Sequence, residues 1–535
     1  MDTGMGGMDF GTVDAVAGQV AGNLAVSEAT IADLGYLRAQ LAAAEVPFLL
    51  VRDRDHRLVL AADAAHRAMV RRVTSAAAAA GFVCTQPQPD VVRLGRDRDP
   101  AHHVELELWE YHGDTVECPR PNALTRTVFD LADVEFTEVR LFDRSWPTLA
   151  QMFAPQPTDV GFDIDIVFSW VDGSDPEFRA RRAGMMAQVV VGEGDDADAR
   201  IRQIDELKYA LRSVHKNAPW IRRIFIATDS PAPAWLAEHP KVTIVRAIDH
   251  FSDTSGLPTF NSHAVESQLQ HIEGLSEHFL YSNDDMFFAR PVRPSMFFTP
   301  AGISRFIEAD VRIGPGRNNE RRSGYENAAR VNRALLAERF GHVITRHLEH
   351  TPVPLRRSVL REMEEEFAAD FARTRTSRFR AATDISVTNS LYHYYALLTG
   401  RAVPQEAARV AYVDTTSRAG LAVLDDIAAH RDLDFFCLND SSFPEISESE
   451  RVREVSRFLA GYFPDPAPWE RVSRTVSSSA SGVDCRRRMT CGIRAAGGIT
   501  MPSAASRAAA SSGVAGEPTV GPASMGTTEC TTVSG

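Results

Sequence analysis

The sequence lacks the features that mark a membrane protein, a disulfide scaffold or a secreted protein. No stretch approaches the roughly 20 consecutive apolar residues of a membrane span. The N-terminus has no basic segment followed by an apolar core, so it predicts no secretory signal. Six cysteines are scattered without a Cys-x-x-Cys pair, which argues against a disulfide framework and a zinc site. We therefore expect a cytoplasmic protein, either free or peripheral at the inner face of the membrane.

An excess of basic charge is also missing. Lys and Arg total 58 against 71 Asp and Glu, which gives a net charge of −13 and disfavours a nucleic-acid partner. The hydrophobic content of 44% and the charged content of 24% are ordinary for a globular protein. A chain of 535 residues is long enough for about two to four domains.

Composition and patterning divide the chain into four parts. Residues 1–24 are Gly-rich and predicted to be flexible. Residues 25–152 predict a small α+β domain that begins with a helix capped by Ser27. Residues 161–468 predict the larger, catalytic domain. Residues 471–535 are rich in Ser, Ala, Thr and Gly and poor in large apolar residues, so they are predicted to be disordered.

The larger domain alternates strand and helix patterns. Strands are expected at residues 163–170, 224–227, 242–245 and 279–282, with amphipathic helical patterns between them. This alternation predicts an α/β fold with a doubly wound, mostly parallel sheet.

Two adjacent carboxylates follow one of these strand patterns. The apolar residues 279–281 lead into Asn283, Asp284 and Asp285. Ligands of open α/β sheets bind outside the carboxyl ends of the strands, and Mg²⁺ takes one or two carboxylates together with substrate phosphate oxygens. The pattern predicts a site for a divalent metal, Mg²⁺ or Mn²⁺, and a phosphorylated substrate. An acidic turn without a metal is the alternative.

A turn after the first strand of this domain is a candidate substrate contact. Trp170, Asp172 and Gly173 belong to a segment that is a turn by composition. Its backbone N–H groups could face a phosphate, and Trp170 could stack on a base. Burial of Trp170 in the core is the alternative interpretation.

The start of a predicted helix is a second candidate substrate contact. Asn261 is expected to cap a helix that extends to Ile272. Ser262 and Glu266 lie four residues apart and therefore share one face of it. Helix N-termini favour anions because of their free N–H groups and the helix dipole. An ordinary cap and a solvated glutamate are the alternative.

Two further residue types suit phosphoryl chemistry. His350 lies in a proline-containing loop and could act as a general base near neutral pH, or be structural. Arg380 could bind phosphate bidentately. Asp384, four residues later, is a further candidate substrate contact, or it could form a plain helix pair with Arg380.

These segments occur in the order that characterises a known family. In chain order they are residues 165–176, 205–213, 217–222, 257–266, 274–279, 283–285, 350–352, 392–395 and 436–440. The sequence resembles the Stealth family of sugar-phosphate transferases over residues 163–442. The family includes bacterial capsule and exopolysaccharide phosphotransferases, and the animal enzyme that adds GlcNAc-1-phosphate to lysosomal glycoproteins.

The resemblance implies a nucleotide-sugar-transferase-like fold and a defined reaction. A hexose 1-phosphate, such as GlcNAc-1-phosphate, would pass from a nucleotide sugar to a hydroxyl of an oligosaccharide or polysaccharide. The products would be a phosphodiester-linked sugar and a nucleoside monophosphate, in exopolysaccharide or capsule biosynthesis.

The resemblance also implies roles for individual residues. The functional positions of the family map by motif onto Ser262, Glu266, Asp285, His350 and Arg380. Asp285 would hold the metal, and Arg380 would clamp phosphate oxygens. His350 would take the proton of the acceptor hydroxyl or form a covalent phosphohistidine. Glu266 would orient a hydroxyl or itself be the base. Asp172 stands where many members have Asn, a departure at the turn expected to bind the nucleotide.

Two other functions fit parts of the pattern. A glycosyltransferase with its metal on Asp284 and Asp285 would attack the anomeric carbon and release a nucleoside diphosphate. A binding protein would hold a nucleotide sugar or a glycan without catalysis. The simultaneous presence of His350, Arg380 and the acidic pair argues against the binding protein, because binding alone needs no base.

Overall fold

The structure is a computed structural model. It describes residues 11–12, 24–54, 57–186, 192, 203–440 and 444–471. The predicted flexible segment 1–24 and the predicted disordered tail 471–535 lie almost entirely outside these ranges. Within the ranges, no helix combines the length and the apolar character that crossing a bilayer requires.

The N-terminal part mixes helices and strands, as the α+β prediction requires. Its helices are α1 Glu28–Ala43 and α2 Arg67–Ala79. Its strands are β1 Gly11–Thr12, β2 Phe48–Arg52, β3 Leu58–Asp63, β4 Val83–Gln88, β5 Val91–Gly95, β6 Val104–His112, β7 Thr115–Glu117, β8 Val128–Asp130, β9 Phe136–Leu141 and β10 Arg144–Leu149.

Local signals in the sequence explain how this part begins. The Ser27 side chain accepts a hydrogen bond from the Thr30 N–H at 3.2 Å and so caps α1. Leu34, Leu37 and Leu41 recur at helical spacing and are fully buried against the sheet, whose central order is β2-β3-β6-β5-β4.

The N-terminal part packs against the rest of the chain through buried polar contacts. His102 Nε2 lies 2.9 Å from Asn217 Oδ1, and both residues are buried. Beside them, Lys216 forms an ion pair with Asp97 at 2.8 Å. Asn217 also donates to the Phe288 carbonyl, so one side chain connects this interface to the larger part.

The larger part contains more elements. Its strands are β11 Ile164–Ser169, β12 Ile224–Ala227, β13 Val242–Val245, β14 His278–Asn283, β15 Met286–Phe288, β16 Ser304–Phe306, β17 Glu308–Arg312, β18 Arg346–Leu348, β19 Val353–Arg356, β20 Ala402–Pro404, β21 Val410–Asp414 and β22 Phe435–Asn439. Its helices are α3 Pro176–Met186, α4 Glu206–Asn217, α5 Ala247–His250, α6 Ser262–Glu266, α7 Gly324–Phe340, α8 Arg357–Glu366, α9 Ala368–Thr376, α10 Tyr392–Leu398, α11 Arg418–His430 and α12 Glu448–Tyr462.

A five-stranded sheet forms the centre of the larger part. Its order is β13-β12-β11-β14-β19. The first three pairings are parallel, and only the last, between β14 and β19, is antiparallel. The mostly parallel sheet and the α/β class agree with the expectation from the sequence.

Both faces of this sheet are covered. Along β11, Ile166 and Phe168 pack on the side of α4, whereas Val167 faces the core that contains α8 and α10. Successive side chains of a strand point to opposite faces, so a near-continuous apolar run is required where both faces are buried. That run is what the sequence shows at residues 164–168.

A second sheet begins where β14 ends. Strand β15 follows β14 after two residues, but it pairs with β22 in a three-stranded sheet of order β15-β22-β21. The chain therefore changes sheets at Asp284 and Asp285. Apolar residues on both sides of this pair are buried, which holds the two carboxylates half-buried at the junction of the two sheets.

Two local expectations are wrong. Asn261 does cap a helix, since its Oδ1 accepts from the His263 N–H at 3.1 Å, but α6 ends at Glu266 and does not reach Ile272. The Ser267 hydroxyl bonds back to the Ala264 carbonyl, and the backbone turns into a separate 3₁₀ turn at residues 269–271. Residues 377–386 are not helical either, so Arg380 and Asp384 are not a helix pair.

The central sheet should dominate the stability of this part. Leu280 is fully buried in β14 between β11 and β19, so Leu280→Ala should lower the free energy of unfolding by about 2–5 kcal/mol. Val343→Ala, at a position 66% exposed, should change it by less than about 0.5 kcal/mol. Urea denaturation of both variants provides the measurement, and equal unfolding midpoints would contradict this placement of the core.

Candidate active site

A cavity of about 900 Å³ opens at the carboxyl ends of β11 and β14. This is the edge of a parallel sheet at which ligands usually bind. The cavity wall brings together most of the residues singled out from the sequence: Trp170, Ser262, Glu266, Asn283, Asp284, Asp285, His350 and Arg380. We call it the main cavity.

Four of the candidate residues do not line the main cavity. Asp172 closes its own turn by accepting from the Ser174 N–H at 2.9 Å, and the Gly173 carbonyl accepts from Arg179. Asn261 faces a neighbouring cavity, and Asp384 is fully buried beneath the loop that carries Arg380.

The acidic pair occupies the turn between β14 and β15. Asp284 Oδ2 accepts from Gln203 Nε2 at 3.3 Å, and Gln203 Oε1 in turn accepts from the Trp170 indole N–H at 3.0 Å. The Asp285 carboxylate accepts from the Cys437 thiol. Its Oδ1 is nevertheless buried without a hydrogen-bond partner, a rare state for a carboxylate oxygen.

Two more carboxylates approach the pair from other elements. Glu206 is the first residue of α4, and Asp440 directly follows β22. Arg451 contacts this group, at 2.5 Å from Asp440 and 3.7 Å from Glu206. Four carboxylates and one guanidinium thus share a partly enclosed region that is strongly negative when all of them are ionised.

Burial and mutual repulsion raise the pKa values of these acids. Burial raises the pKa of Asp284 to about 7, and the charge of Asp285 adds to the effect. Burial likewise raises the pKa of Asp285, helped by Glu206 and Asp440. For Glu206, burial followed by the charge of Asp284 raises the pKa to about 7. Each ionised form is therefore costly in the absence of a cation.

This donor set fits a hard divalent cation. The orphaned Asp285 oxygen and the raised pKa values show that the region lacks positive charge. Among the described residues, no three His, Cys, Asp or Glu side chains converge as a preformed cage. Mg²⁺ characteristically needs only one or two carboxylates, because water and substrate phosphates complete its shell. Asp284 and Asp285 would be those carboxylates, with Asn283 beside them.

Arg380 and Glu266 lie on the opposite wall and are connected by Ser262. Arg380 Nη2 donates to Ser262 Oγ at 2.8 Å, and Ser262 also hydrogen-bonds Glu266. The Thr388 hydroxyl donates to Glu266 Oε2 at 2.7 Å. Burial raises the pKa of Glu266, whereas these hydrogen bonds and the charge of Arg380 oppose the increase.

Asn261 and Asp384 hold the loop that presents Arg380. Asp384 Oδ2 accepts from Asn261 Nδ2 at 2.8 Å and from the Ala381 N–H at 2.9 Å. Asn261 also donates to the Ser377 carbonyl and caps α6, the helix of Ser262. Asn261 and Asp384 therefore help to fix the positions of Arg380 and Ser262 without lining the main cavity themselves.

His350 lies in the wall formed after β18. Its ring centroid is 4.9 Å from that of Tyr412, in an edge-to-face arrangement. The protein atoms packed around its ring lower the pKa of His350, and the charge of the neighbouring His347 adds to the effect, while the residue stays exposed to solvent in the open cavity. The imidazole is therefore neutral near pH 7, the form that can accept a proton.

A second cavity, of about 490 Å³, adjoins the main one. Both are lined by Trp170, Ser262 and Arg380. The side cavity, as we call it, also contains three phenylalanines whose rings contact in sequence. Phe178 lies 5.5 Å from Phe260, which stacks on Phe379 at 5.2 Å.

Several wall residues were not identified from the sequence: Gln203, Glu206, Thr388, Tyr412, Asp440 and Arg451. Asp440 had a recognisable signal, because the apolar residues 435–438 run into Asn439 and Asp440 just as residues 279–281 run into Asn283 and Asp284. Glu206 lies in the segment 205–213 noted above, whereas the remaining four come from distant segments and carry no local motif.

Family models match four blocks of the chain after residue 161. Stealth protein conserved region 1 matches residues 162–189, region 2 residues 200–306, region 3 residues 349–397 and region 4 residues 425–479. The main cavity draws residues from all four blocks, including Trp170, Asp285, His350 and Asp440.

Curated relatives extend the similarity to most of the chain. The exopolysaccharide phosphotransferase CpsY of Mycobacterium tuberculosis is 60% identical over 482 residues, which cover 85% of this chain and 91% of that protein. CpsY of Mycobacterium leprae is 57% identical over 479 residues, or 84% and 88% of the two chains. An exopolysaccharide phosphotransferase of Streptomyces coelicolor is 42% identical over 399 residues, or 70% and 72%.

Solved structures give only a weak likeness. LgtC, crystallised as an active-site mutant, matches with a TM-score of 0.28 and 11% identity over 56% of this chain and 95% of its own. LgtC in complex with donor and acceptor sugar analogues matches with a TM-score of 0.26, 12% identity and coverage of 55% and 95%.

Removing one buried charge should stabilise the metal-free protein. Asp285→Asn should raise the free energy of unfolding at pH 8 by about 1–2 kcal/mol, because the folded wild type then carries an ionised carboxylate that it cannot solvate. As the pH falls below 7, the folded wild type takes up a proton that the unfolded chain binds only near pH 4. Its stability therefore rises, and the advantage of the variant shrinks.

Mg²⁺ should stabilise the wild type but not Asp285→Asn, because the variant lacks one of the two carboxylates that would hold the cation. Denaturation at pH 8 and pH 5.5, with and without Mg²⁺, provides the measurement. Asp310→Asn is the matched control, because Asp310 is exposed at the cavity wall. A less stable Asp285→Asn at pH 8, or equal Mg²⁺ stabilisation of both proteins, would contradict the assignment.

The positioning role of Asp384 can be separated from a contact with substrate. Asp384→Asn keeps an oxygen that can accept from Asn261 and Ala381, so kcat/KM should stay within a few-fold of wild type. Asp384→Leu removes the acceptor, lets the Arg380 loop shift, and should lower kcat/KM by about 10²-fold. Equal losses in the two variants, measured by steady-state kinetics of nucleotide release, would show that the charge itself matters.

Proposed function

The chain belongs to the Stealth family, whose matched relatives are exopolysaccharide phosphotransferases, and we propose that it transfers a hexose 1-phosphate from a nucleotide sugar to a glycan hydroxyl. A transferase of phosphorus-containing groups that acts in exopolysaccharide biosynthesis follows from the relatives. GlcNAc-1-phosphate is the example of a transferred group that we put forward. The acceptor is an oligosaccharide or polysaccharide.

The two adjoining cavities support a placement for the donor. The aromatic side cavity offers an apolar surface for the nucleoside, with rings from Phe178, Phe260 and Phe379. Arg380 lies in the walls of both cavities. A diphosphate that spans them would meet this guanidinium, while the sugar would occupy the main cavity.

The buried carboxylates would hold the metal on the diphosphate. Asp284 and Asp285 would bind it, with Asn283 close by, and Mg²⁺ or Mn²⁺ would neutralise phosphate charge there. Arg380 contributes a second, fixed positive charge from the opposite wall. Phosphoryl transfer depends mainly on such positioning and charge stabilisation.

His350 would take the proton from the attacking hydroxyl. The acceptor oxygen forms a bond to the phosphorus that carries the sugar, and the bridging P–O bond to the nucleotide breaks. The bonding electrons leave with the nucleoside monophosphate, and the hydroxyl proton moves to the neutral imidazole. Glu266, held by Ser262 and Thr388, would orient a hydroxyl of the acceptor or sugar.

One observation carries this proposal. In a single cavity, a half-buried acidic pair whose pKa values are raised lies opposite a guanidinium and a histidine whose pKa is lowered. A metal-bound diphosphate and an attacking hydroxyl satisfy all three groups at once. A protein that only binds glycan has no use for the costly carboxylates.

Product identity tests the proposal. The protein is incubated with Mg²⁺, a panel of nucleotide sugars and simple sugar acceptors, and the released nucleotide is identified. We expect a nucleoside monophosphate that forms only when acceptor is present. Release of a nucleoside diphosphate would instead indicate glycosyl transfer, and no release from any donor would favour a binding protein.

Replacement of His350 tests whether it takes part in catalysis, and labelling of the protein by the donor separates a base from a nucleophile. His350→Ala should lower kcat by about 10²-fold or more, because a general base contributes that order of acceleration. His342→Ala, at an exposed histidine, is the matched control and should keep wild-type kcat. Label transferred from the donor's sugar phosphate to the wild-type protein in the absence of acceptor would indicate a phosphohistidine and contradict the base assignment.

A further inference from the structure

Asn283 directly precedes the acidic pair, yet the proposed reaction assigns it no role of its own. Its side chain is half-buried in the wall of the main cavity. A metal ligand at this position would have to offer its amide oxygen, because the amide nitrogen is a donor and Mg²⁺ takes oxygen ligands. The end of the amide that faces the cavity therefore decides what Asn283 can bind.

Two hydroxyl groups lie beside this amide because of the register of the central sheet. Ser169 of β11 is the parallel partner of Asn283 in β14. Tyr281 precedes Asn283 by two residues, and residues two apart on a strand point to the same face. The three side chains therefore meet at the carboxyl ends of the two strands, where all of them line the main cavity.

The two hydroxyls hold the oxygen of the amide. Ser169 Oγ lies 2.8 Å from the Tyr281 hydroxyl. Asn283 Oδ1 lies 3.2 Å from the Tyr281 hydroxyl and 3.4 Å from Ser169 Oγ. Each hydroxyl has one proton, so the hydrogen bond between them uses one proton and leaves the other for Oδ1. The opposite orientation of the amide would leave that proton without an acceptor in this contact.

The nitrogen of the amide consequently faces the cavity. Within the described residues, Asn283 Nδ2 has no hydrogen-bond partner, and protein atoms do not enclose it. An amide nitrogen offers two N–H donors, so a ligand in the cavity meets a donor here and not an acceptor. A cation cannot use this nitrogen, whereas an oxygen atom of the substrate can.

Buried groups hold the amide in this orientation. The fully buried Ser282 donates from its hydroxyl to the Asn283 carbonyl at 2.9 Å. Tyr281 is 4% exposed and belongs to the core on one face of the central sheet. The backbone carbonyl and Oδ1 of Asn283 are thus both bound to the sheet, which fixes the direction of Nδ2. A fixed donor stabilises charge well, because it does not reorganise when the ligand binds.

We propose that Asn283 donates a hydrogen bond to a phosphate oxygen of the nucleotide sugar and does not bind the metal. This inference rests on the proposed transfer reaction, in which Asp284 and Asp285 hold the metal on the diphosphate. Asn283 adjoins that pair, so a diphosphate held there would bring its oxygens beside the amide. A neutral donor at this place stabilises phosphate charge without adding another carboxylate to a negative region.

Replacement of Asn283 separates a donor from a metal ligand. In Asn283→Ala, the shift of the urea midpoint caused by Mg²⁺ alone should equal that of wild type. Calorimetric binding of pyrophosphate in saturating Mg²⁺ should weaken by about tenfold or more, because a hydrogen bond to a charged group is lost. Pyrophosphate has phosphate oxygens but no sugar, so it reports a contact with phosphate and not with a sugar hydroxyl.

Asn439 provides the matched control. It ends β22 and lines the same cavity, but its Nδ2 donates to the Asp440 carbonyl at 3.2 Å and is therefore engaged within the protein. Asn439→Ala should bind pyrophosphate and Mg²⁺ nearly as tightly as wild type. Denaturation midpoints without ligand establish that each variant folds.

Two further variants test the orientation of the amide. Ser169→Ala/Tyr281→Phe removes both hydroxyls and lets the amide rotate, so it should weaken pyrophosphate binding while leaving the Mg²⁺ shift unchanged. Asn283→Asp keeps an oxygen for the hydroxyls but replaces the N–H donors by an anionic oxygen, and should lower kcat/KM by about tenfold or more. A metal-binding Asn283 predicts the reverse, since a carboxylate is a good ligand for Mg²⁺.

A smaller Mg²⁺ shift in Asn283→Ala than in wild type would overturn the inference, because Asn283 would then be a metal ligand. Unchanged pyrophosphate binding in that variant would overturn it too, as would a wild type that does not bind pyrophosphate in Mg²⁺. Failure of the proposed function shows separately, as the absence of nucleoside monophosphate release from every donor. The pyrophosphate titrations need no turnover, so they decide the role of Asn283 in that case as well.

Discussion

Four carboxylates that pack around one guanidinium are the constraint on which the site depends. Asp284, Asp285, Glu206 and Asp440 come from four separate elements, and their pKa values are raised where the shift is resolved because burial deprives them of water. Arg451 contacts Asp440 and Glu206. Such an arrangement is expensive in the metal-free state. A divalent cation and a substrate diphosphate would offset this free-energy cost by completing the charge balance.

The fold produces this arrangement by changing sheets. Strand β14 belongs to the parallel sheet and β15 to the second sheet, and the acidic pair is the turn between them. Strand β22, paired with β15, ends at Asn439 and so delivers Asp440 to the same place. On the opposite wall, a hydrogen bond between Asn261 and Asp384 joins α6 to the loop that carries Arg380. This connection places Ser262 and Arg380, which are hydrogen-bonded to each other, in the wall of the cavity.

The strands of the central sheet and the acidic pair could be predicted from the sequence, because a strand and the polar residues at its end form a local pattern. The strands at 224–227 and 242–245 and the acidic pair follow from apolar runs with polar residues after them. The extent of α6 did not follow, since it depends on a bond from Ser267 back to Ala264. Arg451 was missed because tertiary packing, rather than any motif, brings it to the acidic pair. Glu206 lies in the recognised segment 205–213, but nothing in that segment indicates that its side chain reaches the acidic pair.

The central claim is that the bond broken joins phosphorus to the nucleotide, and not the sugar carbon to oxygen. A donor with ¹⁸O between the anomeric carbon and phosphorus tests this directly. The account predicts that all the label stays with the transferred sugar phosphate, and that the released nucleoside monophosphate contains none. Label in a released nucleoside diphosphate would contradict it, because the sugar would then have been transferred without its phosphate.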